Sequence, residues 1–377
     1  MTLTEVRPDD AKLRLGRRER VLAQMAALGV DLLVVGREAN ARYLSGVQRL
    51  WTAGSRPFGP GCVLVRSSGA VHLLSTWDEG VPDDIPHENL YGITFNSANM
   101  LKALRGIEGA ATAQIVATDS LTPSGAQLLA AAFPMAEVVD AEDLLENARC
   151  LKTPEEIEEI RGALRVAERS LGDAAGALAP GVTGRQLTGV FMGTMASMGV
   201  TTPATQDVAW ITSRERPWQR AGRDTPAEDG DLVAFSAGVL HCGYVGELGR
   251  TYPVGDPHLA HRSLYRRKDE LWARLLDACR PGAPLAGLLD AYHAAGAPPP
   301  PVPVARGLGL GYDLPLVTHG LPHTAQEGRV EVGMVLALTA YIWEEHVGAV
   351  YHQEPIRVGD AGPEVLSASS PVSEGDR

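Results

Sequence analysis

Residues 230–251 read GDLVAFSAGVLHCGYVGELGRT. Asp231–Ala237 is apolar and β-prone, Gly238–Gly243 interrupts it, and Tyr244–Thr251 resumes it, so the stretch is expected to fold as strand, turn, strand. Successive side chains on a strand point to opposite faces, and pairing of these two strands then puts Ser236 and Glu247 on the same side. A metal site built there would want two carboxylates. One of the two positions carries a hydroxyl instead.

Upstream of this hairpin, strands alternate with helices. The pattern predicts helices at Arg14–Leu28, Asn96–Gly106 and Thr122–Ala132, with a helical turn at Asn40–Ser45. Strands are expected at Asp31–Val35, Ile85–Tyr91, Gln114–Ala117 and Val138–Asp140, and a hairpin at Cys62–Arg66 and Ala70–Leu74. This alternation predicts a small α/β domain over residues 1–143. Leu144–Leu151 reads as a connection. Thr153, followed by Pro154 and Glu155–Glu159, reads as the capped start of a helix reaching about Leu178, and Gly184–Met198 as a second helix. Downstream, Ala260–Arg280 and Pro284–Ala295 are helical patterns, and Met334–Trp343 and Val347–Val358 are strands expected to pair. These elements fill residues 144–366, and residues 367–377 (SASSPVSEGDR) read as a polar tail expected to be disordered.

The chain has 377 residues, 45% of them hydrophobic and 21% charged, enough for two domains with real cores. Its net charge of −12, with scattered basic residues, argues against nucleic-acid binding. The four cysteines are widely spaced, with no CxxC pair, which indicates neither a disulfide framework nor a structural zinc site. The charged N-terminus has no apolar signal core, and the longest apolar run, Met334–Trp343, is too short to span a bilayer. A cytoplasmic location follows as the expectation. The Ala- and Arg-rich composition points to a GC-rich bacterial gene and a specialised metabolic role.

The segments LKTPEEIEEIRGALRVAERS, LAPGVTGRQL, GDLVAFSAG, GYVGELGRT, GLGLGYDLP and VGMVLALTAYI, taken in order with the opening RRERVLAQMAALGVDLLVVGREANARYLSG, resemble the creatinase/prolidase/aminopeptidase-P family. The resemblance covers about residues 14–366 and implies an α/β N-terminal domain followed by an α+β pita-bread C-terminal domain. Metallopeptidases of that family hold two divalent cations with two Asp, one His and two Glu, hard-ion ligands whose charge offsets that of the metals. Carried over one at a time, those positions fall on Ser236, Glu247, Leu308, Thr339 and Gln353, with Glu354 one residue away from the last. Only Glu247 clearly keeps a carboxylate, so no metal ligands and no cofactor are expected. Two imidazoles that assist such enzymes fall near Gln219 and on Pro315 and are absent. Creatinase, by the same resemblance, shares the fold and works without metal, although its catalytic His has no counterpart among Arg216–Arg220.

The catalytic candidates are Glu247 as general acid or base, or as a carboxylate paired with Arg250 or another arginine, and the loop imidazoles His241, His319 and His323 as proton-transfer partners. The substrate-binding candidates are Ser236, Thr339, Gln353, Arg250 and Tyr341, with Arg216 and Trp218 offering anion recognition and stacking. Each has a plainer reading: space filling for the hydroxyls, a solvated loop for the arginines and histidines, a core aromatic for Tyr341. The resemblance also implies a homodimer in which the loop around Trp51 and Arg56 reaches the partner's cleft. The expected function is a metal-independent, creatinase-like enzyme that hydrolyses or rearranges a C–N bond of a small carboxylate-bearing amidine, amide or amino-acid derivative. The alternative is a non-catalytic protein that keeps the pita-bread cleft for a small ligand or a protein partner.

Overall fold

In the computed structural model, residues 9–47, 61–74, 80–92, 94, 96–119, 122–205, 207–320 and 328–370 are described. The chain divides into two compact units, Met1–Arg149 and Cys150–Arg377.

The first unit begins with α1 (Ala11–Leu28), capped by Asp10 and stopped by Gly29, whose φ of 70° is the left-handed conformation glycine adopts without cost. There follow β1 (Leu32–Val35), α2 (Glu38–Ser45), β2 (Cys62–Val65), β3 (Val71–Leu73), α3 (Ser97–Arg105), β4 (Ile115–Thr118), α4 (Pro123–Ala132), β5 (Glu137–Asp140) and α5 (Glu142–Cys150). The strands form one sheet in the order β3-β2-β1-β4-β5, with β1, β4 and β5 parallel and β2 and β3 antiparallel. Its core gathers Leu32, Val34, Val63, Val116, Leu104 and Phe133. Two expectations fail here. Ile85–Tyr91 is not a strand but surrounds a three-residue 3-10 helix at His87–Asn89. Residues 144–151 are mostly helix, because Leu144, Leu145 and Ala148 fall on one buried face behind the acidic first turn of Glu142 and Asp143.

The second unit opens with α6 (Pro154–Gly176) and α7 (Gly184–Ser197), each started by a capping box, Thr153 with Glu156 and Thr183 with Gln186. Then come β6 (Ala209–Ile211), β7 (Leu232–His241), β8 (Tyr244–Pro253), α8 (Leu259–Ala278), α9 (Gly287–Ala294), β9 (Ala305–Gly309), β10 (Gly311–Val317), β11 (Val335–Glu344), β12 (Gly348–Gly359) and β13 (Gly362–Val365). Seven strands run β10-β9-β11-β12-β8-β7-β6, and β13 adds to β12. The β7–β8 hairpin is longer than its sequence suggests. Strand pairing continues to His241 and Tyr244, and the turn is only Cys242 and Gly243, both at positive φ as a two-residue primed turn requires.

The register decides what meets on the sheet. Ser236 opposes Gly249, Gly249 opposes Gln353, and Gln353 opposes Thr339, one row across β7, β8, β12 and β11. Ala337 opposes Arg306, which brings β9 to the same face. On the other face α6 packs so closely that a side chain at Gly246 would overlap the backbone of Ala163 and Leu164. Of the tail expected to be disordered, residues 367–370 are held in place. Ala368 and Ser369 donate from their backbone to Glu168, and residues 371–377 lie outside the described set. Among the described residues no helix is long and apolar enough to cross a membrane.

Candidate functional site

Glu247 lies two residues along β8 from Gly249 and therefore on the same face as the row of Ser236, Gln353 and Thr339. It is completely buried, at 0% exposure, and both carboxylate oxygens face one guanidinium. Arg306 donates from Nε to Oε1 at 3.2 Å and from Nη2 to Oε1 and Oε2 at 2.6 and 2.7 Å. The Tyr312 hydroxyl stands 3.2 Å from Oε2, and the Arg306 guanidinium lies 4.0 Å from the centre of the Tyr312 ring. Burial alone would lower the Arg306 pKa, but the charge and hydrogen bonds of Glu247 outweigh it and hold the group above its usual value. Burial and the Glu247 charge push the Tyr312 phenol up to about 12, so it is a neutral donor at neutral pH. Nη1 of Arg306 has no hydrogen-bond partner among the described residues.

The remaining polar residues of the row satisfy one another. Tyr351 donates to Gln353 Oε1 at 3.0 Å, and Gln353 Nε2 donates to Thr339 Oγ1 at 3.1 Å. Above them opens a cavity of about 280 Å³, with Ser236, Gln353, Tyr351 and Arg306 at its floor. Its walls include Trp210, Trp218 and Arg220. Trp218 takes the left-handed conformation at φ 66°, stacks on Tyr341 at 3.7 Å between ring centres, and donates its backbone N–H to the Tyr341 hydroxyl. The Arg220 guanidinium lies 3.9 Å over the Trp210 ring and donates to Asp207.

Of the residues expected to form the site, Glu247, Ser236, Gln353, Thr339, Trp218 and Tyr341 do come together, although only Ser236, Gln353 and Trp218 line the cavity: Glu247 is bonded to Arg306, Thr339 to Gln353, and Tyr341 is stacked on Trp218. Glu247 is not a free acid or base, since Arg306 engages both its oxygens. Arg250 must be removed from the site. It is three residues from Glu247, which puts it on the opposite face, where it pairs with Glu354 at 2.5 Å. The same alternation decides between Gln353 and Glu354: Gln353 lines the cavity, and Glu354 is buried against Arg250 and Ser367. His241 is also misplaced, because it sits at the tip of β7 beside Gly162 of α6, on the face away from Glu247. His319 is exposed beyond the end of β10, and Arg216 is an exposed loop residue outside the cavity lining. His323, Trp51 and Arg56 lie outside the described residues. Sequence reasoning missed Arg306, Tyr312 and Tyr351. Arg306 directly precedes the glycine-rich GLGLG, and only its cross-strand register, opposite Ala337, brings it near Glu247.

The donor set does not fit a two-metal centre. Of the five positions assigned by resemblance, one holds a carboxylate, and that carboxylate already has a cation on both oxygens. A metal ion there would stand beside a fixed guanidinium, and like charges at such range repel strongly where water is excluded. Leu308 is apolar and fully buried, while Gln353 and Thr339 spend polar atoms on each other. Among the described residues no group of three or more His, Cys, Asp or Glu could hold a metal ion.

Residues 158–360 match the pattern of Metallopeptidase family M24, and residues 17–151 that of the Creatinase/Prolidase N-terminal domain. An Xaa-Pro dipeptidase from Pyrococcus furiosus is 23% identical over 362 residues, 93% of this chain and 97% of the relative. Among solved structures, an Xaa-Pro dipeptidase from Bacillus anthracis superposes with a TM-score of 0.76 at 18% identity, covering 96% of this chain and 99% of its own. The prolidase from Pyrococcus horikoshii OT3 gives 0.74 at 18% identity over 94% of this chain and 99% of its own. The two-domain pita-bread architecture stands. These relatives overturn the expectation of a creatinase-like, metal-independent enzyme for a small amidine or amide. The matching family is one of metallopeptidases, and the named relatives act on Xaa-Pro dipeptides.

Proposed function

Because the chain belongs to metallopeptidase family M24, a family of enzymes, we propose that its cleft receives a short peptide of the Xaa-Pro kind, with the guanidinium of Arg306 among the groups that meet it. The relatives' names suggest the ligand class. The cavity is compatible with it, since about 280 Å³ lies just below the roughly 300–1,000 Å³ of ligand sites and suits one or two residues. The indoles of Trp210 and Trp218 offer apolar walls to a pyrrolidine ring, and Arg306 offers donors to a carbonyl or carboxylate oxygen. The observation that carries the reading is the Glu247–Arg306 pair. It puts a side-chain cation at the floor of the cleft and leaves the single carboxylate of the row without a free oxygen.

Calorimetry with Gly-Pro and longer Xaa-Pro dipeptides, run with a chelator and again with added Mn²⁺, tests this. Saturable binding of the Xaa-Pro dipeptides is expected, tighter than that of Xaa-Ala dipeptides, which offer no pyrrolidine ring to Trp210 and Trp218. No binding by any Xaa-Pro dipeptide in either condition, or equal binding of the Xaa-Ala dipeptides, contradicts it.

A further inference from the structure

The charged groups of the cavity are unequally engaged. Asp207 accepts from Arg220 on Oδ2 at 3.0 Å and from Arg223 on Oδ1, and Glu247 has both oxygens on Arg306. Neither acid keeps an oxygen without a guanidinium beside it. The guanidiniums have donors to spare. Arg306 uses Nε and Nη2 and leaves Nη1, and Arg220 uses Nη1 and leaves Nε and Nη2. Of the residues that line the cavity, Arg220 and Arg306 are cations and Asp207 is the one carboxylate, so the lining carries one positive charge in excess. Such a lining favours an anion over an ammonium group.

Resting on the reading that the cleft takes a short peptide, we propose that the peptide enters carboxylate first, its terminal carboxylate seated on Nη1 of Arg306 with Arg220 as the second cation. The planar fork of a guanidinium matches a carboxylate, and charge-assisted hydrogen bonds of this kind are the strong ones. Glu247 and Tyr312 act as positioning residues. They clamp Arg306 before any ligand arrives, so little side-chain freedom is lost on binding. Trp210 does the same for Arg220. The charge count adds a specificity rule: a peptide whose amino end is acetylated outranks the free dipeptide, because an ammonium would add to the excess positive charge of the lining.

The test is calorimetry in chelator on the full chain with four probes: N-acetyl-Ala-Pro, its C-terminal amide, the free dipeptide Ala-Pro, and benzoate. The variants are Arg220→Met and the double variant Arg306→Met with Glu247→Gln. The double variant removes both members of the buried pair and leaves no lone charge, and Arg220→Met alters a cation exposed enough to spare the fold. The acetylated acid is expected to bind about 10- to 100-fold more tightly than its amide, with most of that advantage lost in either variant. Equal binding of acid and amide, or an undiminished acid affinity in the double variant, overturns carboxylate-first entry while leaving the peptide reading standing. Benzoate binding that both variants weaken, with no binding by any peptide acid, supports the carboxylate seat and overturns the peptide reading.

Discussion

Arg306→Met is expected to destabilise the second unit by about 3–5 kcal/mol, the usual cost of leaving one member of a buried ion pair alone. Glu247 has 0% exposure and no other cation among its hydrogen-bond partners, so the variant strands a charge that water cannot reach. Glu247→Gln is expected to cost less, because Arg306 keeps 23% exposure and can turn its freed donors to solvent. Combining the two should restore most of the loss, since removing both partners of a buried pair is often close to neutral. Urea unfolding of the two single variants and the double variant measures the coupling directly. Strictly additive losses would mean that the pair does not act as a unit.

Glu354→Ala is expected to cost a similar ~3–5 kcal/mol, and for the same reason. Its partner Arg250 is 1% exposed and would lose its only carboxylate among the described contacts, keeping bonds to carbonyl oxygens and to Ser369. Burial raises the Glu354 pKa more than Arg250 and Ser367 lower it. The sign follows from linkage. A carboxyl whose folded pKa lies above its unfolded value binds more protons when folded, so its contribution to stability grows as pH falls through that window. Glu354→Gln, which keeps the shape and a hydrogen-bonding amide, should lose less stability and flatten this pH dependence. Neither variant should change the Kd of a cleft ligand, because Glu354 faces away from the cavity. A large loss of ligand affinity at unchanged stability would return Glu354 to the site.

Much of the architecture was legible from local pattern. The 230–251 hairpin, the shared face of Ser236 and Glu247, and the pairing of the last two long strands all follow from periodicity and turn chemistry, and they hold. The capped start at Thr153 was equally readable. Strand alternation, applied strictly, would also have removed two candidates. Arg250 is an odd number of positions from Glu247 and His241 an odd number from Ser236, so neither pair can share a face along a regular strand. Arg306 was beyond such reasoning. It meets Glu247 from 59 residues away, across strands whose order in the sheet does not follow the chain, and nothing in VARGLG states which carboxylate it will find. The same holds for Tyr351, which is brought to the cavity by the contact of β12 with β8.

With the guanidinium of Arg306 fixed on Glu247, this cleft is set apart by the misfit of its donor set to a two-metal centre. The most direct test of that misfit is elemental analysis by plasma mass spectrometry of the protein purified without chelator from medium supplemented with Mn²⁺, Co²⁺ and Zn²⁺. Well below one equivalent of any divalent metal per chain is the predicted result, unchanged in Glu247→Gln. Stoichiometric metal that disappears in Glu247→Gln would contradict it.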